Sequence, residues 1–328
     1  MATQPAKNIA IACQGGGSLT AFTAGVLRVL LLHLDSARYR ITALSGTSGG
    51  AICATIAWIS LLQGDRRKGA RMLQEFWDDN SAHTPIDAWF NAWMVFAGWF
   101  AGSVMLPEIS PYDVPEIAHD ELKGLLERHI PFAQIPHLLH DDSPELHIGA
   151  VNEASGEFKV FNGPGINADK LLASAAIPTI FRAVHLNDPG DAGIYWDGLF
   201  SQNPPVREFV QPQPDAAGKP DEIWVIRINP MASDSEPQTI QQIETRRNAL
   251  SGNLSLNQEL SFIDKVNSWV ASGWLPTDRF KTIRVREMRL DVPLTVISKF
   301  DRSPPYIRHL IELGEQQATQ FLKALPAV

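Results

Sequence analysis

Residues 41–51 read ITALSGTSGGA, an apolar run from Ile41 to Leu44 followed closely by the spacing G-x-S-x-G, with Ser48 between Gly46 and Gly50. Where a strand turns sharply into a helix, that spacing forces the serine into a strained corner with its hydroxyl exposed at the sheet edge. The flanks suit such a corner: residues 41–44 read as a short buried strand and 51–62 (AICATIAWISLL) as an apolar helix. A chain with 23 glycines in 328 residues can also carry the spacing by accident, so Ser48 needs partners before it reads as a nucleophile.

Toward the N-terminus, residues 9–13 read as a strand, Gln14-Gly15-Gly16-Gly17-Ser18 as a glycine-rich loop, and residues 19–33 as a helix. With the corner at Ser48 this makes a βαβα start, which predicts an α/β fold, a mainly parallel sheet covered by helices in three layers, α/β/α. Further strands are expected at 145–150, 158–161, 222–228 and 293–298, and a last helix over 306–325. There is no internal repeat, and the one linker-like stretch, 211–221 (QPQPDAAGKPD), is short enough for a surface loop. The reading is a single domain over 1–328, with a core at about 8–230 and residues 231–328 completing it.

A composition of 45% hydrophobic and 20% charged residues is ordinary for a globular protein. Cys13 and Cys53 fall in apolar runs, read as small buried hydrophobes, and form no zinc spacing. A net charge of -8, with no basic cluster larger than Arg66-Arg67-Lys68, argues against nucleic acid as a partner. Residues 8–13 are too short an apolar stretch for a secretory segment, so the expected compartment is the cytoplasm.

One segment is anomalous. Residues 88–106 (AWFNAWMVFAGWFAGSVML), within a hydrophobic aromatic stretch at 86–106, hold six aromatic residues and no charge. The candidates are a membrane span, a buried core helix, and a mobile cap over the site that would make peripheral contact with membranes. Asp87 and Glu108 at its ends, where a span would more usually carry Lys or Arg, disfavour the span.

Which residues could serve Ser48? The glycine loop opens a helix, so the backbone N–H groups of Gly15, Gly16 and Gly17 can converge on an anion such as the oxyanion of an acyl-transfer intermediate. A dinucleotide loop would instead require glycine at Thr20 and an acid closing the second strand, and neither is present. For the base, a triad would call on His309, which sits in an amphipathic helical pattern. A carboxylate acting directly would be Asp197, in GIYWDGLFSQNPPV, although an Asp-Gly pair is by itself usually only a turn.

At this point the chain resembles the patatin-like phospholipases. The glycine loop Gln14-Gly15-Gly16-Gly17, the elbow Gly46-Thr47-Ser48-Gly49-Gly50 and the pair Asp197-Gly198 match that family's three motifs in order. The run Ala173-Ser174-Ala175-Ala176-Ile177-Pro178, with Phe181 and Val184, looks like its A-S-x-A-x-P segment, and Asn203 and Pro205 close the base loop as in relatives. The resemblance is firm over about 8–230. It implies a lipid acyl hydrolase with a Ser48–Asp197 dyad, an oxyanion hole at Gly15, Gly16 and Gly17, a lipid or acyl ester substrate, and no metal or cofactor. Gln14, Leu19, Thr20 and Leu199 depart from the family pattern, which has Asp, Arg and Gly at the first three and Gly or Ala at the last. The departures at Leu19 and Leu199 leave a second reading, a catalytically silent fold that binds lipid or acts as a scaffold.

Overall fold

Strand β1 (Lys7–Cys13) sends Ile9, Ile11 and Cys13 into one hydrophobic core and Ala10 and Ala12 into another, as a strand buried on both faces must. Strand β7 (Glu222–Arg227) repeats the division, with Trp224 and Ile226 on the first face and Ile223 and Val225 on the second. The computed structural model describes residues 5–83, 87, 91, 110–113, 116–178, 180–210, 215–232, 236–292 and 297–326.

Between these strands run β2 (Tyr39–Thr47), β3 (Glu145–Asn152), β4 (Phe158–Phe161), β5 (Val184–Leu186) and β6 (Gly193–Asp197), and β8 (Arg284–Arg289) follows β7. They form one sheet in the order β5-β6-β3-β2-β1-β7-β8, with β4 paired to β3. The pairs β1–β2, β1–β7, β2–β3 and β7–β8 are parallel; β3–β4, β3–β6 and β5–β6 are antiparallel.

Helices α1 (Ala21–His33), α2 (Gly49–Leu62), α3 (Arg66–Asn80), α4 (Ile117–His129), α5 (Ile135–Leu138), α6 (Ala168–Ala175) and α8 (Pro304–Lys323) contribute to the first core. The long helix α7 (Ile240–Ala271) covers the second face with Leu256, Leu260 and Ile263. A capping box between Thr239 and Gln242 starts α7. The three-layer expectation therefore holds, with a mixed, mostly parallel sheet.

One expected element is not borne out as read, and another lies almost wholly outside the described residues. The strand at the end of the described sheet is β8; of the expected strand 293–298, residues 293–296 lie outside the described residues, and Ile297–Lys299 is a single 3-10 turn. Of the anomalous segment 88–106 only Asn91 is described: its Oδ1 accepts from Arg302 N at 2.8 Å, and its Nδ2 donates to Asp301 at 3.2 Å. Whether the segment is cap, core or span lies outside the described residues. Among the described residues no helix is long and apolar enough to cross a membrane.

Candidate active site

Strand β3 acts as a ruler that brings the ends of β2 and β6 together. Both β2 and β4 pair with Ile148 and Gly149, while β4 and β6 both pair with Ala150 and Val151, so β2 and β6 share one edge of β3. Thr47 lies opposite Gly149 and Asp197 opposite Ala150, the next residue along. β2 turns away at Ser48 just where β6 arrives with Asp197, which explains how residues so far apart in sequence meet.

Ser48 has φ 56° and ψ -133°, and among the described residues it alone combines a side chain with positive φ. Such a conformation costs about 1–3 kcal/mol and must be held by its surroundings. Its C=O accepts from Ala51 N at 2.9 Å and Ile52 N at 3.2 Å, closing the first turn of α2. Its N–H donates to Ser174 Oγ at 2.9 Å, and Ser174 in turn donates to Gly149 O at 2.7 Å. The spacing of the glycines is steric: a Cβ on Gly46 would lie 2.6 Å from Ala51 Cα, and one on Gly50 would strike the Cys13 carbonyl.

Asp197 is buried. Its backbone N–H donates to Ala176 O at 3.0 Å, and its Oδ1 accepts from Leu199 N at 2.7 Å, which fixes the rotation of the carboxyl. Burial pushes its pKa up to about 6, against the pull of the Leu199 N–H, the Ser48 hydroxyl and the charge of Lys299. A carboxyl so tuned is largely ionised at neutral pH and remains basic enough to take a proton.

In the glycine loop, Gly15 N donates to Asn203 Oδ1 at 2.7 Å, so that donor is committed. Gly16 and Gly17 N–H have no protein acceptor among the described residues. Gly17, at φ 59°, packs directly on the Lys299 carbonyl. Of the three donors expected from sequence, Gly16 and Gly17 are the two left to face an anion.

Other candidates fall away from this cluster. His309 is exposed on α8. Cys13 and Cys53 are buried and unpaired, and burial raises both thiols, Cys53 to about 12. A family model described as patatin-like phospholipase matches residues 11–210, more than half of the chain. The chain belongs to the patatin-like phospholipase family. Among solved structures it is similar to VipD from Legionella pneumophila (13% identity, TM-score 0.43, 98% of this chain and 67% of that one). It is also similar to the type III effector protein ExoU (13% identity, TM-score 0.39, 97% of this chain and 53% of that one), so it spans about half the length of ExoU. No curated protein matches the chain.

The departures from the patatin pattern have local structural reasons. Gln14 is fully buried and uses both ends: its Oε1 accepts from Ile228 N at 2.9 Å and Asn229 N at 3.0 Å, while its Nε2 donates to Gly252 O and Asn253 Oδ1, each at 3.0 Å. An aspartate could not donate to those acceptors. Leu19 is fully buried in the first core, and Thr20 Oγ1 closes a turn on Gly17 O at 2.6 Å. Leu199 acts through its backbone N–H, which any residue but proline supplies.

Sequence reasoning missed three participants. Ser174 and Asn203 were visible as family marks without a role, and Lys299 carried no local signal at all. The first two act across 126 and 188 residues of chain, so no spacing rule could have found their contacts.

Proposed function

We propose that the protein is a serine esterase hydrolysing fatty acyl esters, a phospholipase A or general lipid acyl hydrolase, through a Ser48–Asp197 dyad and an oxyanion hole in the glycine loop. The observation that carries this reading is the meeting of a strained, supported Ser48 with a buried Asp197 whose carboxyl is oriented and tuned for proton transfer. Ser48 Oγ attacks the ester carbonyl carbon as Asp197 takes its proton. The tetrahedral oxyanion is received by the Gly16 and Gly17 N–H groups, each donor being worth about 10² to 10³ in rate. Collapse expels the alcohol, which leaves with the proton from Asp197. Water then attacks the acyl-Ser48 ester, giving a proton to Asp197, and release of the fatty acid returns that proton to Ser48.

The test is labelling by a serine-reactive fluorophosphonate together with turnover on p-nitrophenyl esters and defined phospholipids. Ser48→Ala should abolish labelling, and Ser48→Ala and Asp197→Asn should each lower turnover by at least about 10³ with the fold intact. His309→Ala should change little; an equal loss there would replace the dyad with a triad.

A further inference from the structure

Arg227 ends β7 with its side chain buried between the sheet and α7, and no step of the proposed reaction uses its charge. Its Nε and Nη2 donate to the two carboxylate oxygens of Glu287 on β8, at 3.2 and 3.1 Å, a bidentate pair. Its Nη1 donates to Asn253 Oδ1 at 2.9 Å and to Asn257 Oδ1 at 3.0 Å, both on α7. A guanidinium only donates, so whatever faces it must accept. Asn253 therefore turns its Oδ1 to Arg227 and keeps its Nδ2 for the carbonyls of Asn229 at 3.3 Å and Pro230 at 3.1 Å. The same Oδ1 accepts from Gln14 Nε2 at 3.0 Å, which leaves Gln14 Oε1 for the N–H groups of Ile228 and Asn229. Turned end for end, the Gln14 amide would face donors with its nitrogen and acceptors with its oxygen, and lose these bonds. Of the three side chains Arg227, Asn253 and Gln14, only Arg227 cannot exchange its donor and acceptor ends. The relay ends at the glycine loop: Gln14 precedes Gly15, and Gly16 packs on the Ile228 side chain.

We propose that Arg227 is a positioning residue for the acyl-transfer chemistry: held by Glu287, it orients the Asn253 and Gln14 amides and so seats the glycine loop on the end of β7 with its Gly16 and Gly17 N–H groups aimed at the oxyanion. This rests on the glycine loop being the oxyanion hole. Without Arg227, Asn253 Oδ1 keeps Gln14 as its one donor, both amides are free to turn, and the start of the loop loses its fixed seat. Donors to an oxyanion act in the transition state and not on the bound ester, so the loss falls on kcat and leaves KM in place.

The experiment measures kcat and KM of the full chain on a soluble short-chain p-nitrophenyl ester, and the rate of labelling by a fluorophosphonate, for wild type, Arg227→Met, Gln14→Met, the two combined, and Ser48→Ala. Arg227→Met should lower kcat and the labelling rate by about tenfold, with KM within about twofold of wild type. Because Arg227 acts through Gln14, the combined variant should be slower than Gln14→Met by no more than about twofold. An unchanged kcat in Arg227→Met, losses that multiply in the combined variant, or a raised KM in place of a lowered kcat overturns the proposal. Should Arg227→Met fail to fold, Arg227→Met with Glu287→Met removes the ion pair as a unit, strands no buried charge, and carries the same comparison. A Ser48→Ala protein that turns over like wild type would instead overturn the serine esterase reading on which the proposal depends.

Discussion

The N–H of Gly15 donates to Asn203 Oδ1 at 2.7 Å, joining the glycine loop to the loop that follows Asp197. Asn203 continues the link into α7, with Nδ2 donating to Gly252 O at 3.2 Å and its backbone N–H donating to Ser255 Oγ at 3.0 Å. Replacing it by alanine frees both loops without touching a reacting atom. Asn203→Ala should lower kcat on a soluble ester by about 10- to 100-fold, the scale of a 1 Å misplacement. Melting should show a loss of about 1–3 kcal/mol for the unpaired buried groups. An unchanged kcat would mean that the two loops are held independently.

The raised pKa of Asp197 makes a paired prediction about pH. With Asp197 as the proposed base, activity needs its ionised form, so kcat/KM should fall below about pH 6. Stability runs the other way. The folded pKa lies above the ordinary value of 3.8, so the folded state binds the proton more tightly. The stabilisation is full below about pH 4 and is lost as pH rises through 6. Asp197→Asn should therefore be inactive yet melt higher than wild type at pH 8, by an amount on the order of 2–3 kcal/mol, with the gain shrinking toward pH 5. Equal melting temperatures at pH 8 would show that Asp197 ionises without strain.

What could be read from the sequence divides along the same lines as the site. β1, the Ser48 corner and α2 were legible because apolar runs end in glycines whose missing side chains the packing requires. β8 was not, since RVREMR is an edge strand defended by charge: Arg286 pairs with Glu222 at 2.6 Å and Arg289 with Glu287 at 2.6 Å. α7 was hidden because its inner face is partly polar, where Asn253, Ser255 and Glu259 bond Gln14 and the loop after Asp197, while Leu250, Leu254 and Phe262 are exposed. An element whose inner face binds loops as well as a core shows no clean apolar stripe.

The glycine loop offers a graded test of the oxyanion assignment. A Cβ on Gly16 would meet the Ile228 methyl end at 2.5 Å, which a flexible side chain can yield, whereas one on Gly17 would strike the Lys299 backbone carbonyl at a positive φ. Gly16→Ala should therefore retain measurable turnover, and Gly17→Val should abolish it while leaving much of the fold, as followed by circular dichroism and ester hydrolysis. Full activity in Gly17→Val would place the oxyanion elsewhere.

Glu259 clamps the loop after Asp197 from α7, its Oε2 accepting from Val206 N at 2.6 Å and Arg207 N at 2.9 Å and its Oε1 from Gln202 Nε2 at 2.7 Å. Gln202 O accepts from Thr47 Oγ1 at 2.7 Å, so the clamp reaches the residue before Ser48. Burial raises the Glu259 pKa, opposed by those three donors and the Arg207 charge. Glutamine at 259 removes the buried charge and keeps one oxygen for the two backbone donors. Its amide would meet Gln202, whose Oε1 is buried without a partner and can turn to accept it. Glu259→Gln should thus match wild type in turnover and gain stability as pH rises from 4 to 8, because wild type alone loses its protonated form over that range. Glu259→Ala leaves the Val206 N–H and the Gln202 amide, both partly buried, without their acceptor, and should cost about 1–3 kcal/mol and lower kcat about tenfold. If Glu259→Ala instead melts and turns over like Glu259→Gln, water replaces the carboxylate and α7 does not hold the base loop.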